Sequence, residues 1–123
     1  MDETRPIFQQ IAEQIENDII SGALPEETQV PSTNEFAAFL RINPATAGKG
    51  VGVLVDNGIL EKRRGIGMFV APGARARIVA ERRDRFRDQY VAPLLAEAAK
   101  LGIDPEQLAT MIRDSRVGEE TSR

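Results

Sequence analysis

The stretch "NPATAGKGVGVLVDNG", residues 43–58, sets Gly48-Lys49-Gly50 directly ahead of an apolar run. Two glycines around a lysine can cradle a phosphate, because bare amides and an ammonium both favour an anion. A phosphate loop of the P-loop type needs more: a glycine, four residues, then Gly-Lys-Ser/Thr, all following an apolar strand. Here Lys49 is followed by Gly50, Asn43 stands where the first glycine should be, and no apolar strand precedes it. The pattern fails at both ends. A second basic and glycine-containing stretch, Arg63-Arg64-Gly65-Ile66-Gly67, can meet phosphates without enclosing a nucleotide.

Other chemistries are short of parts. The 123 residues include no cysteine and no histidine, which removes cysteine nucleophiles, histidine bases, disulfides and the usual zinc ligands together. Glu13, Glu16 and Asp18 fall along the edge of an amphipathic helix rather than forming a pair of acids in a cleft. The reading is therefore of a protein that is not an enzyme, with no catalytic residues, no metal and no cofactor. Nothing near the N-terminus resembles a signal peptide, and no apolar run approaches the ~20 residues that span a membrane. A cytoplasmic protein with no membrane partner is expected.

The elements that must position these residues are legible in the spacing. Ile7, Ile11, Ile15 and Ile19 recur every four residues, with Phe8 and Ala12 beside them, as one face of a helix over 6–21 that Gly22 stops. Gln29-Val30 is a candidate short strand. Ser32 and Glu35 have the spacing of a capping box, opening a short helix with Phe36, Phe39 and Leu40 on its buried edge. Asn43 as cap and Pro44 in the first turn open another, with Ala47, Val51, Leu54 and Val55 on one face and Gly58 at its end. "ILEKRRGIGMFV" then reads as two short strands around a glycine turn.

After Pro72 the chain turns helical again. Phe86, Tyr90, Leu94 and Leu101 make a stripe among alternating charges, and Pro93 is expected to kink or interrupt the helix. Gly102 ends it, and Asp104-Pro105 starts a last helix with Leu108, Met111 and Ile112.

Two short helices joined by a few residues form a helix-turn-helix, whose second helix enters the DNA major groove by its N-terminal end. Ala45, Thr46, Lys49 and the glycines 48, 50 and 52 are expected on its outward face. Each glycine costs a helix about 1 kcal/mol relative to alanine. Closeness to DNA and relief of crowding against a neighbouring helix explain them equally well. The basic hairpin after this pair is placed as a wing, with Arg63 and Arg64 reaching phosphates and a glycine tip entering a minor groove. The net charge of −3 speaks against blanket affinity for nucleic acid, yet residues 41–71 are locally basic, so a focused contact is predicted.

"PIFQQIAEQIENDIISGAL", "VPSTNEFAAFLRINPAT" and "GILEKRRGIGMFV" resemble successive blocks of the GntR-type bacterial transcription regulators, in order and almost continuously over residues 6–71. The short C-terminal segment resembles the YtrA-like branch. The resemblance implies a mainly α (α+β) fold: a winged helix-turn-helix over 1–71 with a small β-hairpin wing, a two-helix dimerisation segment over 72–116, and a disordered polar tail over 117–123. It places DNA contacts at Ser32, Thr33 and Asn34, at Asn43, Pro44, Ala45 and Thr46, at Gly48 and Lys49, and at Arg63, Arg64, Gly65 and Gly67. The family often has arginine at Asn34 and at one of Gly48-Lys49, so fewer long cations point to more reliance on phosphate and shape contacts.

The resemblance further implies a homodimeric repressor on double-stranded DNA with a near-palindromic operator, often controlling genes for ABC-type transporters. The dimer contact falls to Phe86, Tyr90, Leu94, Leu101, Leu108, Met111 and Ile112, because two helices alone cannot bury that apolar surface. The competing reading packs these residues within the chain. A small-molecule effector, if one acts, must bind between helices or at the dimer interface. The alternative function is a winged-helix protein–protein interaction module that does not bind DNA, its acidic first helix facing a basic partner.

Overall fold

The structure is a computed structural model and describes residues 4–115. The expected polar tail lies outside the described residues. The order of elements is α1 (Ile7–Ser21), β1 (Gln29–Val30), α2 (Thr33–Leu40), α3 (Pro44–Asp56), β2 (Leu60–Arg63), β3 (Gly67–Val70), α4 (Ala74–Phe86), a π-helical turn (Arg87–Val91), α5 (Ala92–Lys100) and α6 (Pro105–Ser115). They divide into two compact units between Glu81 and Arg82.

The first unit is mainly helical with one small sheet. Ile11, Ile15 and Ile19 of α1 are buried, as the four-residue spacing requires, while Ile7 at the helix start is 45% exposed. Burying each such side chain contributes about 1.5–3 kcal/mol. They meet Val51 and Leu54 of α3, Ile59 and Leu60 at the start of the hairpin, Val70 of β3, and Ala74 and Ile78 of α4. The first turns of α4 therefore belong to this core, although the family resemblance draws its division at residues 71 and 72.

The sheet is antiparallel in the order β1-β3-β2. Lys62 faces Met68 and Arg63 faces Gly67 across the hairpin, and Gln29 of β1 stands opposite Phe69. Gly22, at the C-terminal end of α1, has φ +90° and its amide returns to the Ile19 carbonyl, which is the left-handed stop that favours glycine.

In the second unit, Pro93 acts in a particular way. Proline has no N–H to give and its ring crowds the carbonyl four residues back. The helix responds by widening over Arg87–Val91, where the Ala92 amide bonds to the Arg87 carbonyl five residues behind it. The helix neither stops nor breaks. α5 ends at Lys100, and Gly102 just beyond it has φ +72°. Asp104 and Gln107 then cap each other's amides at 2.8 and 2.9 Å, opening α6. Ala98 of α5 and Leu108 of α6 are buried.

Candidate nucleic-acid interface

Both helices of the central pair begin where the sequence places their caps. Ser32 Oγ accepts from the Glu35 amide at 3.1 Å, and Glu35 Oε1 accepts from the Ser32 amide at 2.8 Å. The Ser32 amide, and then its hydroxyl, hold the Glu35 carboxyl pKa below its ordinary value, because hydrogen bonds to the carboxylate favour the charged form. Asn43 Oδ1 accepts from the Ala45 amide at 2.8 Å, with Pro44 in the first turn of α3. Between the helices, Arg41 takes a left-handed conformation with φ +57°, uncommon for a residue with a side chain, and this turns the chain sharply into α3.

α3 buries Ala47, Gly50, Val51 and Leu54, which leaves Asn43, Pro44, Ala45 and Lys49 exposed and Thr46 and Gly48 half-buried. A Cβ at Gly48 would lie 3.5 Å from Thr33 Cγ2, so the start of α2 lies against the second turn of α3. Of the predicted set, Ser32 and Asn34 flank Thr33 in the chain, and Asn43, Pro44, Ala45, Thr46 and Lys49 lie with Gly48 at the cap and in the first two turns of α3.

The three glycines do not share one role. A Cβ on Gly50 would come within 2.8 Å of the Phe8 carbonyl oxygen and within 3.1 Å of Ile11 Cγ2, so glycine there lets α3 approach α1. The expectation that Gly50 faces outward is corrected: it is buried, and crowding is its explanation. A Cβ on Gly52 would meet nothing within 4 Å.

Two of the expected cations are held by the protein itself. Lys49 Nζ sits 4.2 Å from the centre of the Phe8 ring, and Arg63 lies 4.1 Å over Phe69 with its Nε 3.5 Å from Glu61. Such contacts fix where the charge stands without neutralising it. The turn of the hairpin closes by a bond from the Ile66 amide to the Arg63 carbonyl at 2.9 Å. Gly65 and Gly67 have φ +75° and +141°, both in the region that favours glycine.

Some residues stand with this set that the sequence did not single out. Lys62 is one: it joins the expected Arg64 and Gly65 in lining a shallow concavity at the wing tip. Ile66 at the same tip is 63% exposed. Gln29 Nε2 donates to the Ile66 carbonyl at 3.0 Å and braces that tip from β1. Alternation within the hairpin would have exposed Lys62, but nothing local announces Gln29, which is 37 residues away from its partner.

The expected dimer residues divide. Phe86, Tyr90, Leu94, Leu101, Met111 and Ile112 are between 44% and 65% exposed, whereas Leu108 is 8% exposed and packs inside the chain. The rings of Phe86 and Tyr90 lie 5.5 Å apart. Among the described residues there is no group of three acids that could hold a metal, and no helix long and apolar enough to cross a membrane.

Comparison with known proteins agrees with this architecture. The bacterial regulatory proteins of the gntR family match residues 7–70. The HTH-type transcriptional repressor YtrA of Bacillus subtilis (strain 168) is 28% identical over 109 residues, 89% of this chain and 83% of that protein. A crystal structure described as a transcriptional regulator of the GntR family from Bacteroides thetaiotaomicron superposes with a TM-score of 0.76 at 30% identity, covering 92% of this chain and 98% of its own. The DNA-binding domain of AraR, in complex with its operator ORR3, aligns with a TM-score of 0.50 at 31% identity, over 52% of this chain and 77% of its own.

Proposed function

The chain belongs to the gntR family of bacterial regulatory proteins, a family of non-enzymatic, DNA-binding transcription regulators, and from that premise we propose that it is a homodimeric repressor acting on a near-palindromic operator in the cytoplasm. The first turn of α3 enters a major groove. The wing lies along the adjacent minor groove. Its target genes, on the YtrA-like resemblance, are those of an ABC-type transporter.

The observation that carries this reading is the division of α3. One side of the helix is committed to the core through Ala47, Gly50, Val51 and Leu54, and the other leaves Asn43, Pro44, Ala45 and Lys49 open to a partner. Asn43, Ala45 and Thr46 are short enough for the helix backbone to lie close to base edges, which suits shape and phosphate contacts more than long-range base readout. The cap hydrogen bond occupies the Asn43 side-chain oxygen, so that residue contributes through its amide nitrogen.

The dimer part of the reading rests on the exposed stripe. Phe86, Tyr90, Leu94, Leu101, Met111 and Ile112 are a larger apolar set than a monomer of this size leaves in water without cause. Leu108 serves that arrangement from inside, by packing α5 to α6. A helix-turn-helix dimer reads two half-sites about one helical turn apart.

The test is a gel shift on the DNA upstream of the protein's own gene at low salt, with the mass of the protein measured in solution. Wild type is expected to sediment as a dimer and to shift that DNA in preference to an unrelated duplex. Leu94→Glu, which puts a charge in the stripe, is expected to be a folded monomer with at least about tenfold weaker binding, since it engages one half-site only. A wild-type protein that shifts no DNA, or a Leu94→Glu dimer that binds normally, contradicts the corresponding part of the proposal.

A further inference from the structure

The tip of the hairpin presents an apolar side chain in otherwise basic surroundings. Ile66 is 63% exposed, with the exposed Lys62, Arg64 and Gly65 before it and Gly67 after it. A glycine on each side, with φ +75° and +141°, would leave such a tip loose, because glycine has the most conformational freedom to lose. Two hydrogen bonds hold it. The Ile66 amide donates to the Arg63 carbonyl at 2.9 Å and closes the turn, and the Ile66 carbonyl accepts from Gln29 Nε2 at 3.0 Å. Gln29 reaches that carbonyl from β1 by passing over Gly67, where a Cβ would run into its amide nitrogen. Both polar groups of the Ile66 backbone are thus engaged within the protein. Its aliphatic side chain is what remains for a partner.

We infer that Ile66 is a specificity-determining residue that reads the minor groove, favouring A·T over G·C pairs, and that Gln29 is the positioning residue that aims it. This rests on the DNA-binding reading above and adds what the wing recognises there. On the floor of the minor groove A·T and T·A pairs show only acceptors, while a G·C pair adds the guanine N2 amino group. Against Ile66 that amino group meets a branched aliphatic side chain where water stood. It loses a hydrogen-bond partner and gains none. The cost falls on G·C alone. Lys62 and Arg64, which line the concavity beside the tip, supply charge for phosphates and take no part in this choice.

The probe is the duplex upstream of the protein's own gene, with each base pair changed in turn to G·C and to I·C. Inosine keeps the major-groove face of guanine and lacks the N2 amino group, so the ratio of the two affinities isolates the minor groove. Wild type is expected to bind I·C at least about fivefold more tightly than G·C at a base pair under the wing, the size of a single unfavourable pair. Ile66→Ala shortens an exposed side chain and leaves the core untouched. It should bring that ratio below about twofold, with an unchanged salt slope. Ile66→Val keeps the branch and should stay near wild type. Gln29→Met keeps the length of the side chain but donates nothing, and it should lower the ratio as Ile66→Ala does.

A wild type that binds this DNA but nowhere separates G·C from I·C overturns the proposal. So does an Ile66→Ala variant that keeps the wild-type ratio, or one that only loses affinity equally on every duplex. A Gln29→Met variant with the wild-type ratio overturns the part given to Gln29. Failure of the underlying reading is recognised separately: a wild type that shifts no DNA overturns the regulator itself. An unchanged salt slope in Lys62→Ala with Arg64→Ala takes the wing off the DNA, whatever the Ile66 variants do.

Discussion

Gly50→Ala is expected to destabilise the protein by about 1–3 kcal/mol, although alanine is the better helix former. Taken alone, helix propensity predicts a gain of about 1 kcal/mol. Against that gain stands the new methyl group, which would lie 2.8 Å from the Phe8 carbonyl oxygen and 3.2 Å from Ile11 Cβ. The first is a backbone atom of α1, so no side-chain rotation relieves the clash and the two helices must move apart. Gly52→Ala, two residues on, is the matched control. A Cβ there meets nothing within 4 Å, so helix propensity acts alone and the variant should gain about 0.5–1 kcal/mol. Denaturant unfolding of the two variants checks the pair. Equal effects, or a Gly50→Ala that matches wild type, would mean that α1 and α3 are not packed as closely as described.

The second large effect concerns the wing. Lys62→Ala combined with Arg64→Ala should flatten the salt dependence of DNA binding. The slope of log K against log salt is expected to fall by about 0.9 for each phosphate left without its cation, about 1.8 for the pair. These two side chains line the same concavity at the tip. Arg63→Ala is a different case. Its guanidinium already lies over Phe69 and near Glu61, so its removal also disturbs β2 and β3, and the change in slope should be smaller than that of the pair. Titration of binding against salt separates these variants. An unchanged slope in the Lys62/Arg64 variant would remove the wing from the DNA.

Much of this was legible in the sequence because it is local. Ser32 with Glu35 and Asn43 with Pro44 mark helix starts through bonds that span three residues or fewer. Glycines 22, 58 and 102 mark the stops, and all three have positive φ. The isoleucine spacing of α1 named its buried face, apart from Ile7, which precedes the body of the core. What stayed illegible is what the chain brings together from a distance. Lys49 over Phe8, Gly50 against the Phe8 carbonyl and Gln29 against Ile66 each join residues on different elements. Periodicity reports which face of a helix is buried, not which atom it will meet, and in the short α2 it missed the face as well: Phe39, expected on the buried edge, is 84% exposed, and Ala37 is buried instead.

The glycines show the limit most clearly. Three glycines spaced by two residues looked like one feature, but a helix turns about 100° per residue, so Gly50 points away from the face that Gly48 and Gly52 share. Gly50 answers to α1, Gly48 lies next to Thr33, and Gly52 answers to nothing within reach. Pro93 shows another limit. Its chemistry forbids one hydrogen bond, and that alone does not decide whether a helix stops, bends or widens. Here it widens by a π turn.

The central claim is that the first turn of α3 and the wing tip are where DNA sits. The most direct measurement follows the backbone amides of the labelled protein by nuclear magnetic resonance as the operator-bearing duplex is added. The largest changes are expected at Thr33 and Asn34, along Asn43–Lys49 and along Lys62–Gly67, with the acidic edge of α1 at Glu13, Glu16 and Asp18 undisturbed. Changes concentrated on that α1 edge, with α3 and the wing silent, would contradict it.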